Sequence, residues 1–238
     1  ADRFEKLQAD AIAVAQAARS RSGRAVSIAG CLPPLVASYR PDLAPDHADA
    51  LAQYRVLVAL QAPSVDLFLA ETLPSTHEAA AAARAARESG RTVWVGLTVD
   101  DADGRRLRSG ETLADGIAAA RDNGADAVLV NCSTPEATDR AMPILAGAGA
   151  AFGAYANGFR SVAPLKGAAT VDVLEARRDV TPESYAETAL DWVAAGATIV
   201  GGCCEIGPAH IAALAERLEI AGHALIDGPR APAAHAAE

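Results

Sequence analysis

Short, nearly uninterrupted apolar runs alternate along this chain with longer segments of helical spacing. This alternation is typical of a parallel sheet covered by helices, because both faces of each strand are then buried. The predicted strands are residues 25–30, 65–71, 92–99, 127–132, 150–157 and 197–204. The predicted helices are residues 3–19, 46–62, 76–89, 111–123, 134–148, 181–196 and 207–220, with Thr134 and Thr181 as N-caps.

Repeated βα units of this kind build either a (β/α)8 barrel or a doubly wound sheet. A doubly wound nucleotide-binding sheet carries a glycine-rich turn directly after an early strand. The nearest sequence, GAGAAFG at 147–153, lacks the third glycine and precedes a strand, and no Walker A sequence is present. The length of 238 residues is also close to the roughly 250 typical of a barrel. The sequence therefore favours an α/β fold of the (β/α)8 TIM-barrel type.

Composition and charge narrow the function classes. Apolar residues make up 51% of the chain and charged residues 21%, which permits a sizeable core and disfavours disorder. The net charge is −9 and the basic residues are scattered, so we expect no nucleic-acid partner. No uncharged apolar run approaches about 18 residues, so we expect no membrane span. With no visible signal peptide and few cysteines, we expect a cytoplasmic protein.

The cysteines carry the most distinctive chemistry of the chain. Cys132 ends the fourth predicted strand, and Cys203 and Cys204 end the sixth. Strand ends of a barrel lie on one rim, so these three thiols are expected to meet there. Three thiolates suit Zn²⁺ and leave a fourth position for water or substrate, which is the pattern of a catalytic site. From spacing alone, three separately buried and inert cysteines remain the alternative interpretation.

The local sequence around the cysteines adds two expectations. Neighbours on a strand point to opposite faces, so Cys203 and Cys204 can face one ion only if the backbone bends. Gly201 and Gly202, directly before them, would allow such a bend. Cys31, after the first predicted strand, is interpreted as a buried structural thiol and not as a ligand.

Several segments of the chain resemble one known family in the same order. GGCCEIGPAHIAAL at 201–214 resembles the terminal GGCC-x3-P-x-H-I motif of the homocysteine S-methyltransferase family. VNCS at 130–133 is similar to the upstream element that supplies the first zinc cysteine of that family. The further similar segments are AGCLPPLVASYRPD (29–42), AETLPSTHEA (70–79) and YANGF (155–159). The resemblance thus covers nearly the whole chain.

The resemblance implies a zinc-dependent enzyme. It places catalytic Zn²⁺ on Cys132, Cys203 and Cys204, with the thiol of homocysteine as the fourth ligand. It implies transfer of a methyl group from a sulfonium donor, S-methylmethionine or S-adenosylmethionine, to homocysteine, which gives methionine. The expected partners are therefore these small molecules, and a homo-oligomer is a further option.

The resemblance also implies substrate-binding residues. Glu71 matches the family glutamate that contacts the amino group of homocysteine, and Asn157 matches a strand-end asparagine at the rim. From its position before Cys132, Asn131 is expected to hold the local backbone by an Asx-type hydrogen bond, and a polar residue at a helix N-terminus is the alternative interpretation. The predicted substrate-binding residues are Glu71, Asn131, Asn157 and Gly202. His210 matches the motif's histidine, but we interpret it as a packing residue.

Domain boundaries follow from the same comparison. We predict a homocysteine-binding barrel domain over residues 1–227 and a disordered tail over 228–238. The family's first strand, with its Asp-Gly element, has no counterpart here, so about six of the eight βα units are expected in this chain and N-terminal residues of the barrel are expected to be missing. The alternatives are a non-catalytic zinc- or thiol-binding domain of a larger methyl-transfer system, methylation of another small thiol or selenol, and a zinc-free barrel.

Overall fold

The computed structural model describes residues 2–166 and 170–226, and its strands form one parallel sheet in chain order. The strands are β1 (Ala29–Leu32), β2 (Leu67–Leu73), β3 (Thr92–Leu97), β4 (Ala127–Asn131), β5 (Ala151–Tyr155) and β6 (Ile199–Val200). The helices are α1 (Asp2–Ser22), α2 (His47–Gln61), α3 (Thr76–Arg87), α4 (Leu113–Asp122), α5 (Pro135–Gly147), α6 (Pro182–Ala194) and α7 (Pro208–Ile220). This arrangement is a partial (β/α)8 barrel and confirms the predicted fold class.

The helices begin at capping residues that the sequence signals. Thr134 and Thr181 accept hydrogen bonds from the backbone N–H groups of Ala137 and Ser184, and a proline follows each cap. Both predicted N-caps are confirmed. Asp46 caps α2 in the same way, by accepting two backbone N–H groups. None of the described helices is long and apolar enough to cross a membrane.

The first and last strands differ most from their predicted bounds. Residues 25–30 are predicted to form the first strand, but pairing with β2 begins only at Ala29. Just before that point the N–H of Ile28 donates to the carboxylate of Asp66, 2.7 Å away, while the carbonyl of Ile28 accepts the backbone N–H of Asp66, so a side chain replaces one of the two backbone partners there. The regular last strand ends at Val200, although the N–H groups of Gly201 and Cys203 still donate to the carbonyls of Ala154 and Ala156. The predicted tail at 228–238 lies outside the described residues.

Side chains along the strands alternate between two apolar layers. Phe68 and Val128 belong to the large core between the sheet and the helices. Leu69 and Leu129, the next residues along β2 and β4, face the inner side of the sheet and form a smaller cluster with Tyr155. Within the described residues β1 and β6 each pair on one side only. The alternation fixes which strand residues can reach the rim from inside.

We predict that Gly153 is required for the pairing of β5 with β6. It lies opposite Ile199, and a Cβ added at Gly153 would overlap the backbone carbonyl of Ile199. Gly153→Ala should therefore lower the free energy of unfolding by about 1–3 kcal/mol in urea denaturation. Gly147→Ala is the matched control, since a Cβ there meets nothing within 4 Å, and it should be neutral or slightly stabilising. Equal stability of the two variants would contradict this packing argument.

Candidate metal centre

Three thiols meet beyond the carboxyl ends of β4 and β6. The Sγ atom of Cys132 lies 2.7 Å from that of Cys203 and 3.7 Å from that of Cys204. The Sγ atoms of Cys203 and Cys204 are 3.9 Å apart. The structure thus brings together the three cysteines that the sequence singled out, from positions about 70 residues apart in the chain.

The backbone of β5 positions two of these cysteines. The N–H of Cys132 donates to the carbonyl of Tyr155, and the N–H of Cys203 donates to the carbonyl of Ala156. Cys132 has a φ of 50°, in the left-handed region, which takes its side chain out of the strand alternation. A non-glycine residue in this region is strained and is held there by its surroundings.

The turn that presents Cys203 and Cys204 differs from the expectation. Neither Gly201 nor Gly202 has a positive φ; the left-handed residue of this turn is Glu205, at 66°. Gly202 is required for another reason, because a Cβ there would overlap the side chain of Ile206. The N–H of Ile206 donates to the carbonyl of Cys203 and closes the turn. Close packing, and not a glycine bend, is therefore the local requirement at Gly202.

The three sulfur atoms have the chemistry and the spacing to hold a metal ion. Sulfur atoms bound tetrahedrally to Zn²⁺ at about 2.3 Å are separated by roughly 3.8 Å. Two of the three observed separations are close to this value, and the 2.7 Å separation of Cys132 and Cys203 is shorter. Such a soft donor set favours Zn²⁺ over the hard ions Mg²⁺ and Ca²⁺.

The hydrogen bonds among the thiols shift their pKa values in opposite directions. Hydrogen bonds from Cys132 and Cys203 lower the pKa of Cys204 to about 3. Hydrogen bonds with Cys132 and Cys204, together with burial, raise the pKa of Cys203. The three thiols therefore do not ionise independently, and a bound cation would favour the thiolate form of each.

An apolar cluster covers one side of the thiols. Cys132 is buried with Tyr39, Phe159 and Val162, and side chains from the segment between β5 and α6 pack around them. Cys204 is exposed. Solvent and small molecules can therefore approach the thiols from the side of Cys204 but not from that of Cys132.

Glu71 lies at a bulge in β2. The strand takes three residue steps from Ala70 to Leu73 where its neighbour β3 takes two, so β2 holds one extra residue. Thr72 occupies the bulge with a φ of 63°. Bulges re-aim side chains, and this one lies beside the predicted substrate carboxylate.

Asn131 holds this bulge in place. Its side-chain Oδ1 accepts the backbone N–H of Thr72 at 2.8 Å, and its Nδ2 donates to the hydroxyl of Thr72 at 2.9 Å. Asn131 is fully buried. Both the oxygen and the nitrogen of the Asn131 amide are therefore bonded to Thr72. The backbone that Asn131 holds is that of β2 and not the backbone next to Asn131 itself.

Two donors hold the carboxylate of Glu71. The thiol of Cys31 donates to Oε1 and the hydroxyl of Tyr155 donates to Oε2, each at 3.1 Å. Burial, and then the charge of Glu71, raise the pKa of Tyr155, so this phenol stays a donor at neutral pH. Cys31 is exposed, and its interpretation as a buried thiol is wrong: it alternates with buried neighbours along β1 and faces Glu71.

Asn157 and His210, the remaining polar residues of the motifs that resemble the family, lie in different surroundings. Asn157 is fully buried, and its Oδ1 accepts the N–H of Phe159. Its Nδ2 has no hydrogen-bond partner in the described part of the chain. His210 accepts the N–H of Gly207 through Nδ1 and contacts the carbonyl of Val180 through Nε2, which supports its interpretation as a structural residue at the start of α7.

Three residues of the site were not predicted from the sequence: Tyr39 and Arg108 beside the thiols, and Tyr155 beside Glu71. Tyr39 and Tyr155 lie inside segments that resemble the family, 29–42 and 155–159, but nothing in their residue type signalled a role. Arg108 lies in a polar loop with other arginines, and sequence spacing could not show that its side chain is 10% exposed.

A large cavity lies away from the thiols. It has a volume of about 600 Å³ and is lined by α1, β1 and α2, with side chains such as Phe4, Ile12 and Leu57. Its lining is mostly apolar and contains none of the three clustered cysteines. The cavity borders Cys31, the hydrogen-bond partner of Glu71, but not the three-thiol cluster.

The fold and the site together define a partial (β/α)8 barrel with a three-thiol candidate metal centre at its carboxyl rim. The family model described as Homocysteine S-methyltransferase matches residues 1–218. The chain belongs to the homocysteine S-methyltransferase family, and the resemblance seen in its motifs is confirmed. A comparison with curated proteins gives no match.

Solved structures of the homocysteine methyltransferase MmuM from Escherichia coli are similar to this chain. The metallated form is 25% identical with a TM-score of 0.72, and the match covers 90% of this chain and 70% of that one. The oxidized form is 25% identical, with a TM-score of 0.70 and the same coverage. The apo form is 24% identical with a TM-score of 0.69, covering 91% of this chain and 74% of that one.

We predict that the thiol cluster binds one divalent metal ion per chain. Reduced protein dialysed against Zn²⁺ should hold one equivalent by elemental analysis, and Cys203→Ser should bind substantially less. Cys31→Ser is the matched control, because Cys31 lies outside the cluster, and it should keep the full equivalent. Equal zinc content in Cys203→Ser and the wild-type protein would show that the cluster is not the metal site.

Proposed function

We propose that this protein is a zinc-dependent methyltransferase that moves a methyl group from a sulfonium compound to the thiol of homocysteine. The observation that carries the proposal is the meeting of Cys132, Cys203 and Cys204 in a chain of this family. Three protein ligands leave one position for a substrate sulfur, whereas a structural zinc site would use four. The barrel domain of residues 1–227 is the proposed catalytic unit.

Zinc is the cofactor that we propose for these residues. Cys132, Cys203 and Cys204 would hold it, since their sulfur atoms lie within 4.8 Å of one another. When bound, Zn²⁺ supplies Lewis acidity that favours the thiolate form of a sulfur ligand over the thiol at neutral pH. One of the similar MmuM structures is a metallated form, which supports a metal here as well.

Glu71 is the residue that we propose for binding the substrate's ammonium group. Its two oxygens already accept hydrogen bonds from Cys31 and Tyr155, so the carboxylate is oriented before substrate arrives. A carboxylate has further lone pairs and can accept from an ammonium group in addition. Tyr155 is followed by Ala156, whose carbonyl accepts the N–H of Cys203. The end of β5 therefore connects the carboxylate of Glu71 to the thiols.

Asn131, Asn157 and Gly202 are proposed to shape the substrate site. Asn131 fixes the bulge beside Glu71, and Gly202 permits the tight turn that presents the thiols. The buried Nδ2 of Asn157 offers a donor that has no partner within the described residues. Such an atom is costly to leave without an acceptor, so a bound molecule or water is its expected partner.

The proposed transfer is an in-line displacement. The bond between the methyl carbon and the donor sulfur breaks as the carbon bonds to the sulfur of homocysteine, and the donor leaves as a neutral thioether. The thiol proton of homocysteine passes to solvent. The buried side of the cluster, formed by Tyr39, Phe159 and Val162, would exclude water from the reacting atoms, and Glu71 would orient the acceptor.

We predict turnover with a sulfonium donor. Zinc-loaded protein with homocysteine should form methionine when S-methylmethionine or S-adenosylmethionine is the donor. Chromatography of the reaction mixture measures the methionine formed. Zinc-free protein, and zinc-loaded Cys204→Ser, should be at least about 100-fold slower. Bound zinc without turnover on these donors, betaine or methylcobalamin would instead support the non-catalytic domain, and turnover with another thiol or selenol only would redefine the acceptor.

We also predict that Glu71 recognises the amino group. Glu71→Gln should lower kcat/KM for homocysteine by about 10-fold to 100-fold, the loss expected for one charge-assisted hydrogen bond. The same variant should use 4-mercaptobutyrate, which lacks the amino group, as well as the wild-type protein does. Glu136→Gln on α5 is the control carboxylate and should change neither value. Equal losses with both thiols would assign Glu71 a structural role.

A further inference from the structure

We propose that Tyr39 is a positioning residue for Cys132 as a metal ligand, and that Arg108 strengthens the hydrogen bond through which it acts. This inference rests on the metal centre of the proposed function and extends it beyond the three sulfur atoms. Residues that hydrogen-bond metal ligands orient them and tune their electron density.

Tyr39 reaches the thiols from a distant part of the sheet. It lies in the segment after β1, whereas Cys132 follows β4, and its hydroxyl donates to the Sγ of Cys132 at 3.1 Å. The side chain is buried in the apolar cluster around Cys132. Its backbone has a φ of 65°, an uncommon conformation for a bulky residue. The fold holds this phenol in place against a local conformational preference.

Arg108 lies over the ring of Tyr39. Its guanidinium carbon is 4.9 Å from the ring centroid, which is within the range of a cation–π contact. Hydrogen bonds to the hydroxyl of Thr98 and the carboxylate of Asp101 fix the guanidinium, and only 10% of the side chain is exposed. A fixed cation over the ring draws electron density from the phenol and makes its O–H a stronger donor.

The hydrogen bond has two consequences for Cys132. It fixes the direction of the Sγ lone pairs, so that Cys132 presents one of them toward Cys203 and Cys204. It also withdraws electron density from the sulfur, which makes a ligand thiolate less nucleophilic. Both effects suit a protein sulfur that must stay a ligand while a methyl group is transferred to another sulfur.

The test compares Tyr39→Phe with Tyr54→Phe in the full protein loaded with Co²⁺. Tyr39→Phe keeps the ring and removes the hydroxyl. Tyr54 is the matched control, since it is fully buried and its hydroxyl donates to the carbonyl of Pro33 away from the thiols. We expect the sulfur-to-cobalt charge-transfer band of Tyr39→Phe to move to longer wavelength, because the sulfur is more electron-rich without the hydrogen bond.

Metal affinity provides the second measurement. In competition with a chelator, Tyr39→Phe should bind Zn²⁺ about 10-fold to 100-fold more weakly, because the loss of a fixed orientation of Cys132 outweighs the gain in electron density on its sulfur. Tyr54→Phe should match the wild-type protein. Arg108→Met, which also removes a 3.5 Å hydrogen bond to the carbonyl of Cys132, should move the charge-transfer band in the same direction by a smaller amount, and it is the second test of this pair if Tyr39→Phe does not fold. A structural role alone would not move the band.

An unchanged band and unchanged affinity in Tyr39→Phe would overturn the inference. Wild-type protein that binds no metal would overturn it together with the proposed function. A third outcome separates the two proposals. If the wild-type protein transfers methyl groups normally and Tyr39→Phe has the wild-type charge-transfer band and Zn²⁺ affinity, only the role of Tyr39 is rejected and the proposed function stands.

Discussion

The parallel pairing of β5 with both β4 and β6 is the constraint on which the thiol site depends. Strands two positions apart in a sheet lie about 10 Å from each other, which is too far for two cysteines at regular strand positions to meet. The backbone of β5 holds both neighbours, because Tyr155 accepts the N–H of Cys132 and Ala156 accepts that of Cys203. Cys132 then turns out of its strand with a left-handed φ and spans the remaining gap. The site is therefore a property of three strand ends and not of any single motif.

Backbone strain is concentrated around this site. Within the described residues, the non-glycine residues with positive φ are Tyr39, Thr72, Cys132 and Glu205. Cys132 is a candidate metal ligand, and Tyr39 donates a hydrogen bond to its thiol. Thr72 forms the bulge beside Glu71, and Glu205 directly follows Cys204. Each such residue costs on the order of 1–3 kcal/mol, which buried hydrogen bonds such as those of Asn131 to Thr72 offset. The rest of the fold thus stabilises a rim whose local conformations would not form alone.

The sequence predicted the elements and the three cysteines better than their surroundings. Apolar periodicity and capping residues such as Thr134 and Thr181 act locally, so the order of strands and helices could be predicted from them. The bulge at Thr72 could not, since it depends on a side chain from β4, which is far away in the sequence. The same holds for the exposed face of β1 on which Cys31 lies and for the position of Arg108, because each depends on how elements far apart in the sequence come together.

The charge of the rim gives a physical reason to prefer a cationic methyl donor. Glu71 is taken up by the ammonium group of homocysteine in the proposed complex, but three thiolates around a divalent ion would leave one net negative charge, while Arg108 is already paired with Asp101. A sulfonium is attracted to such a site, and it loses its positive charge when its methyl group leaves. The neutral thioether product is then held less strongly than the donor was, so binding and release both favour turnover. A neutral donor would gain neither advantage, so under the proposed function the charge of the metal centre favours a cationic donor over a neutral one.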